Sequence, residues 1–110
     1  MGKNHTPRDA IEEMTHMSVS ELFVIRTLKN YITFEMVETN GGLKQKTSNI
    51  CIIPMSDLSD KDKQKFKEGY KRLREKEIVK RIKRQHYIFN PDFFIPYLYD
   101  KEKRIFDSAS

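Results

Sequence analysis

Tryptophan is absent, and cysteine occurs once in 110 residues. The lone thiol, Cys51, has no partner for an internal disulfide, so packing alone must hold the fold. Such cysteine usage fits a reducing compartment, and a cytoplasmic location is expected. No apolar run approaches the roughly 18–20 residues needed to span a bilayer. The opening Met-Gly-Lys-Asn-His lacks the apolar segment of a secretory signal, so no membrane association is expected. Three histidines, His5, His16 and His86, fall in separate segments, with no spacing that would chelate a metal from one element. Neither a Gly-rich phosphate loop nor a Gly-x-Ser-x-Gly elbow is present. No cofactor is expected, and the chain does not read as an enzyme.

What is present is charge, and it is concentrated. The chain carries 21 Lys+Arg against 16 Asp+Glu, a formal net of +5. Residues 61–84 hold twelve of those cations (Lys61, Lys63, Lys65, Lys67, Lys71, Arg72, Arg74, Lys76, Lys80, Arg81, Lys83, Arg84) against four acids, a local net of +8. The flanking segments are mildly acidic. A basic block in an acidic setting is the footprint of a polyanion partner, because clustered cations gain affinity by releasing counterions from phosphates. A solvated Lys-rich helix face is the plainer alternative. With 37% hydrophobic residues, one domain with a modest core is expected.

Thr6-Pro7-Arg8-Asp9 reads as a helix start, and Ala10, Ile11, Met14 and Met17 form a short stripe ending near His16. Ser18-Val19-Ser20-Glu21 is a capping-box pattern. Leu22, Ile25, Leu28 and Ile32 follow at helical spacing, predicting a core helix over residues 19–34. Asn40-Gly41-Gly42 breaks the chain. Whether the flanks of these glycines form a hairpin is left open. Residues 47–53 alternate and are β-branched, predicting a strand that Pro54 ends. Ser59-Asp60-Lys61-Asp62 starts a second helix, to about Lys76, with Phe66, Tyr70 and Leu73 inward. Gly69 within it costs roughly 1 kcal/mol relative to alanine, which points to close packing there. Residues 78–82 and 86–89 read as two strands joined by Lys83-Arg84-Gln85. Phe93, Phe94, Ile95, Tyr97, Leu98 and Tyr99 form an aromatic tail, and fraying is expected from Asp107 onward.

Helix, helix, strand, basic helix, β-hairpin and tail is the skeleton of an α+β winged helix-turn-helix. The expected divisions are an N-terminal helical arm over residues 1–17, a winged-helix domain over 18–95 and a tail over 96–110. With Phe66, Tyr70 and Leu73 inward, Lys63, Lys67, Lys71 and Arg74 fall along one flank of the basic helix. The candidate DNA-binding set is Lys61, Lys63, Gln64, Lys67, Lys71 and Arg74 on the helix, and Lys80, Arg81, Lys83 and Arg84 on the wing. The terminal helix and the aromatic tail are the candidate surface for a homodimer.

Residues 50–95 resemble the winged-helix part of RepL-type plasmid replication proteins. The resemblance is carried by Ile52-Ile53-Pro54-Met55-Ser56-Asp57-Leu58, by Phe66, Tyr70 and Leu73-Arg74-Glu75-Lys76-Glu77-Ile78-Val79-Lys80-Arg81, and by Tyr87-Ile88-Phe89-Asn90-Pro91-Asp92-Phe93-Phe94. It implies binding of double-stranded DNA during replication initiation or its control, on a plasmid or phage. One departure is visible: between Leu58 and Phe66 the chain is short for a separate second helix. Three other functions compete. They are a winged-helix transcription regulator, an adaptor binding an acidic host protein through the same face, and a toxin-type ribonuclease using Lys80, Arg81, Arg84, His86 and Tyr87.

Overall fold

In the computed structural model the structure describes residues 17–109, and the helix expected over residues 6–16 lies outside them. Three helices and a four-stranded antiparallel sheet make up the described part, an α+β architecture.

Helix α1, Val19–Asn30, begins as its capping box requires. The Glu21 amide donates to Ser18 Oγ (3.3 Å), and the Ser18 amide donates to Glu21 Oε1 (3.2 Å). Val24, Ile25 and Leu28 are buried. The helix stops four residues earlier than its apolar spacing predicts. Ile32, expected on the helical stripe, instead pairs with Cys51 in a sheet. The β-branched pair Ile32-Thr33 resists helical packing, and a strand partner is at hand to take it.

The open question about the glycines is resolved as a long hairpin. Strand β1, Ile32–Thr39, turns through Asn40-Gly41 into β2, Gly42–Ile52, so β2 starts five residues before the predicted strand. Gly42 sits at φ 97°, where a side chain would be strained. A 3₁₀ turn, Met55–Asp57, leads to helix α2, Asp60–Glu75, capped by Ser59 Oγ accepting from the Asp62 amide at 3.2 Å. No second helix separates Leu58 from α2, as the short spacing implied. Strands β3, Val79–Lys83, and β4, His86–Phe89, follow as a tight hairpin turning at Arg84-Gln85, with Gln85 at φ 65°.

Sheet order is β1-β2-β4-β3, so β1 and β3 are the two edges. On one face α1 and α2 pack over Cys51, Ile53, Phe66, Leu73, Ile78, Val79, Tyr87 and Phe89. Gly69 is the contact point between these helices: a Cβ there would lie 2.2 Å from the Ser20 carbonyl oxygen, which accounts for the helical glycine. The expected tail is largely a third helix, α3, Tyr99–Ser108, and it covers the opposite face. Its Phe106 is buried, and its buried Glu102 accepts from the Asn49 amide at 2.7 Å. Fraying from Asp107 is therefore not observed up to Ser108. Much of the aromatic tail is used internally. Phe94 meets Phe89 edge-on at 5.1 Å between ring centroids, and Tyr99 donates to Asp92.

Candidate nucleic-acid interface

The basic helix is built so that only one side can enter the core. Phe66 and Leu73 are buried, and Tyr70 is half-buried beside them. The flank Lys63, Lys67, Lys71 and Arg74, spaced by four, four and three residues, therefore forms a solvent-facing row. Lys61, Lys63, Gln64, Lys67, Lys71 and Arg74 are all exposed. Lys63 reaches Asp60 only at 4.0 Å, with both side chains in water, a contact worth little. Gln64 donates to Glu68 Oε1 at 3.3 Å, so that carboxylate is occupied along the outer line of the helix.

Strand alternation sorts the candidates on the β3–β4 hairpin. Arg81 points to the helix face of the sheet, and Lys80 points to the other. There Lys80 Nζ donates to the Phe106 carbonyl (3.3 Å) and sits over the Phe106 ring, 4.5 Å from its centroid. Lys80 thus fastens α3 to the sheet, on the face away from α2 and its row of cations. Arg81, Lys83 and Arg84 are exposed. Arg81 Nε donates to the Lys83 carbonyl at 3.3 Å, which steadies the guanidinium along the strand.

Tyr70 joins helix to wing. Its ring meets Tyr87 edge-on at 5.2 Å, and Phe66 meets Tyr87 at 5.4 Å. Burial raises the Tyr70 pKa, while a hydrogen bond with the Arg81 backbone and the charges of Arg74 and Arg81 oppose the rise. Helix α2 and the β3–β4 hairpin therefore pack together at Tyr70. Sequence reasoning placed Tyr70 in the core and missed this bridging role; its position one turn before Arg74 was the available signal.

Three other cations of the block are engaged within the fold. Lys76 pairs with buried Glu21 at 2.8 Å, Lys65 sits over the Phe23 ring at 4.9 Å, and Lys80 holds α3. In contrast, Lys61, Lys67, Lys71, Arg72, Lys83 and Arg84 have no ion-pair partner among the described residues. Tyr87 is buried, and His86 Nδ1 lies 2.8 Å from the Arg84 carbonyl, so the two do not form an exposed acid–base couple. No helix among the described residues is long and apolar enough to cross a membrane. No family model, no curated protein and no solved structure matches the chain.

Proposed function

We propose that this protein binds double-stranded DNA as a non-enzymatic winged-helix protein, with α2 over the major groove and the β3–β4 hairpin as the wing. The observation that supports the reading is the edge-on packing of Tyr70 of α2 against Tyr87 of β4 at 5.2 Å, which sets the exposed cations of the helix beside the hairpin that carries exposed Arg81, Lys83 and Arg84. With the additional edge strand β1 set aside, the order α1, β2, 3₁₀ turn, α2, β3, β4 and the sheet order β2-β4-β3 support the winged-helix assignment, with Met55–Asp57 standing where a second helix is usual. Lys63, Gln64, Lys67 and Lys71 lie in or over the groove. Arg81, Lys83 and Arg84 hold the backbone or the minor groove. Lysines dominate the row, so most contacts are to phosphate and affinity outweighs base reading. Replication initiation or its control on a mobile element is the role we favour, by the resemblance of residues 50–95.

A gel shift on random duplex across a salt series tests the reading. Wild type should retard duplex at low salt and release it steeply as salt rises. Lys67→Glu/Lys71→Glu should show no shift under the same conditions. Unchanged duplex mobility with wild type even at low salt would overturn duplex binding and favour an adaptor for an acidic protein.

A further inference from the structure

The two edges of the sheet are treated differently. Edge β3 is five residues long and carries Lys80, Arg81 and Lys83, charges of the kind that keep an edge from pairing with another chain. Edge β1 is eight residues long and contains no lysine, arginine or proline. Its outer row of backbone groups has no strand partner among the described residues. On the same hairpin Phe34 (55% exposed), Met36 (62%) and Leu43 (67%) stand in water. Cross-strand pairs Phe34–Thr47, Met36–Gln45 and Glu38–Leu43 put these three side chains on one face. Of the two charges on β1, Glu35 is already neutralised by Lys101 at 2.8 Å.

We infer that β1 is a dimerisation edge: two copies of the chain pair antiparallel through β1, making one continuous eight-stranded sheet. Self-pairing that keeps each face of the sheet on its own side requires residues of equal parity to stand opposite. Centring the pair on Glu35 would set two carboxylates against each other. Centring it on Met36 places Met36 against its own copy, Phe34 against Glu38 and Glu35 against Val37. Seven of the eight residues then have partners, and no like charges stand opposite. The two Met36 side chains meet at the centre, and on either side a Phe34 of one copy lies across from the Glu38 of the other, each one diagonal step from a Met36.

A second copy suits the edge for another reason, which rests on the duplex-binding reading. The wing strand β3 lies at the far edge from β1. In the joined sheet the two β3 strands are seven intervals apart, or ~34 Å at ~4.8 Å per strand. Dimeric helix-turn-helix proteins meet successive major-groove faces about 34–36 Å apart. The joined sheet therefore separates the two β3 edges by about one duplex turn before its twist is counted.

Sedimentation of the full chain, without DNA, tests the edge. Wild type should sediment at twice the chain mass, and Met36→Lys at the chain mass with unchanged circular dichroism. Met36→Cys should give a disulfide-linked dimer under mild oxidation, since directly opposed antiparallel residues lie ~4.5–5.5 Å apart at Cα, within disulfide reach. Native Cys51 is fully buried, with its thiol pushed up to about 12 by burial and by Glu102, and adds no background. A wild-type monomer at high micromolar concentration would overturn the proposal. So would a dimer indifferent to Met36→Lys and uncrosslinked by Met36→Cys. Because no DNA is present, either failure leaves the duplex reading to its own gel-shift test.

Discussion

Replacing Gly69 by alanine sets two effects against each other. Helix propensity favours alanine by roughly 1 kcal/mol. Against that, the new methyl would meet the Ser20 carbonyl oxygen at 2.2 Å and Val24 Cγ2 at 2.8 Å, and backbone cannot rotate away as a side chain can. Overpacking of this kind costs about 1–3 kcal/mol. With the backbone clash at the upper end of that range, Gly69→Ala should lower the urea midpoint by the equivalent of up to ~2 kcal/mol, and an unchanged or raised midpoint would show that the helices can part freely. Two buried carboxylates behave oppositely. For Glu21, burial alone would raise the pKa, but the Lys76 ammonium and the Ser18 amide and hydroxyl outweigh it and hold it below the usual 4.5. Its contribution is present above the unfolded pKa and lost as pH falls through the folded value. Glu21→Gln should cost ~1–2 kcal/mol at pH 7, with the gap closing in acid. Glu102 is raised, chiefly by burial, despite accepting from the Asn49 amide and the Ser48 hydroxyl. Ionising it favours the unfolded chain, so stability is lost as pH climbs from the unfolded toward the folded pKa. Glu102→Gln should raise the thermal midpoint at pH 7 and leave it nearly unchanged near pH 4.

At the level of elements, strand alternation separates neighbours in sequence. Arg81→Ala should weaken duplex binding and reduce the salt slope by about one while leaving thermal stability close to wild type. Lys80→Ala should do the reverse, loosening α3 from the sheet with little effect on the slope; fluorescence anisotropy across a salt series, alongside a melt, reads both. Helix α2 was legible because several signals agreed: the Ser59 cap, the Phe66, Tyr70 and Leu73 spacing, and the glycine that betrayed a close neighbour. The hairpin β1–β2 was not. Leu28 and Ile32 are four apart, so helical periodicity runs on through a segment whose β-branched residues take a strand once β2 is beside them. Helix α3 was hidden for another reason. Its buried positions are Glu102 and Phe106, after half-buried Leu98 at the cap, and a carboxylate in the middle breaks the apolar period that would have announced a helix.

Across the whole molecule, the candidate site was more legible than the architecture around it. Charge clustering located the cations from composition alone. Which of them the fold consumes depends on contacts between segments far apart in sequence, such as Lys76 with Glu21 and Lys80 with Phe106. Of the cations left exposed, the proposed duplex surface takes seven: Lys63, Lys67, Lys71, Arg74, Arg81, Lys83 and Arg84. If each meets a phosphate, log affinity should fall against log salt with a slope of about −6 per chain, at ~0.9 per contact. A slope near −2, by titration calorimetry or anisotropy, would mean that most of the row stays in water. The chain's lack of tryptophan has a use here. Ultraviolet emission comes from five tyrosines alone, and two of them, Tyr70 and Tyr87, meet edge-on at the junction of basic helix and hairpin. The native protein therefore carries its own optical reporter where α2 meets the wing, and a docking event at that junction can be followed with no dye attached.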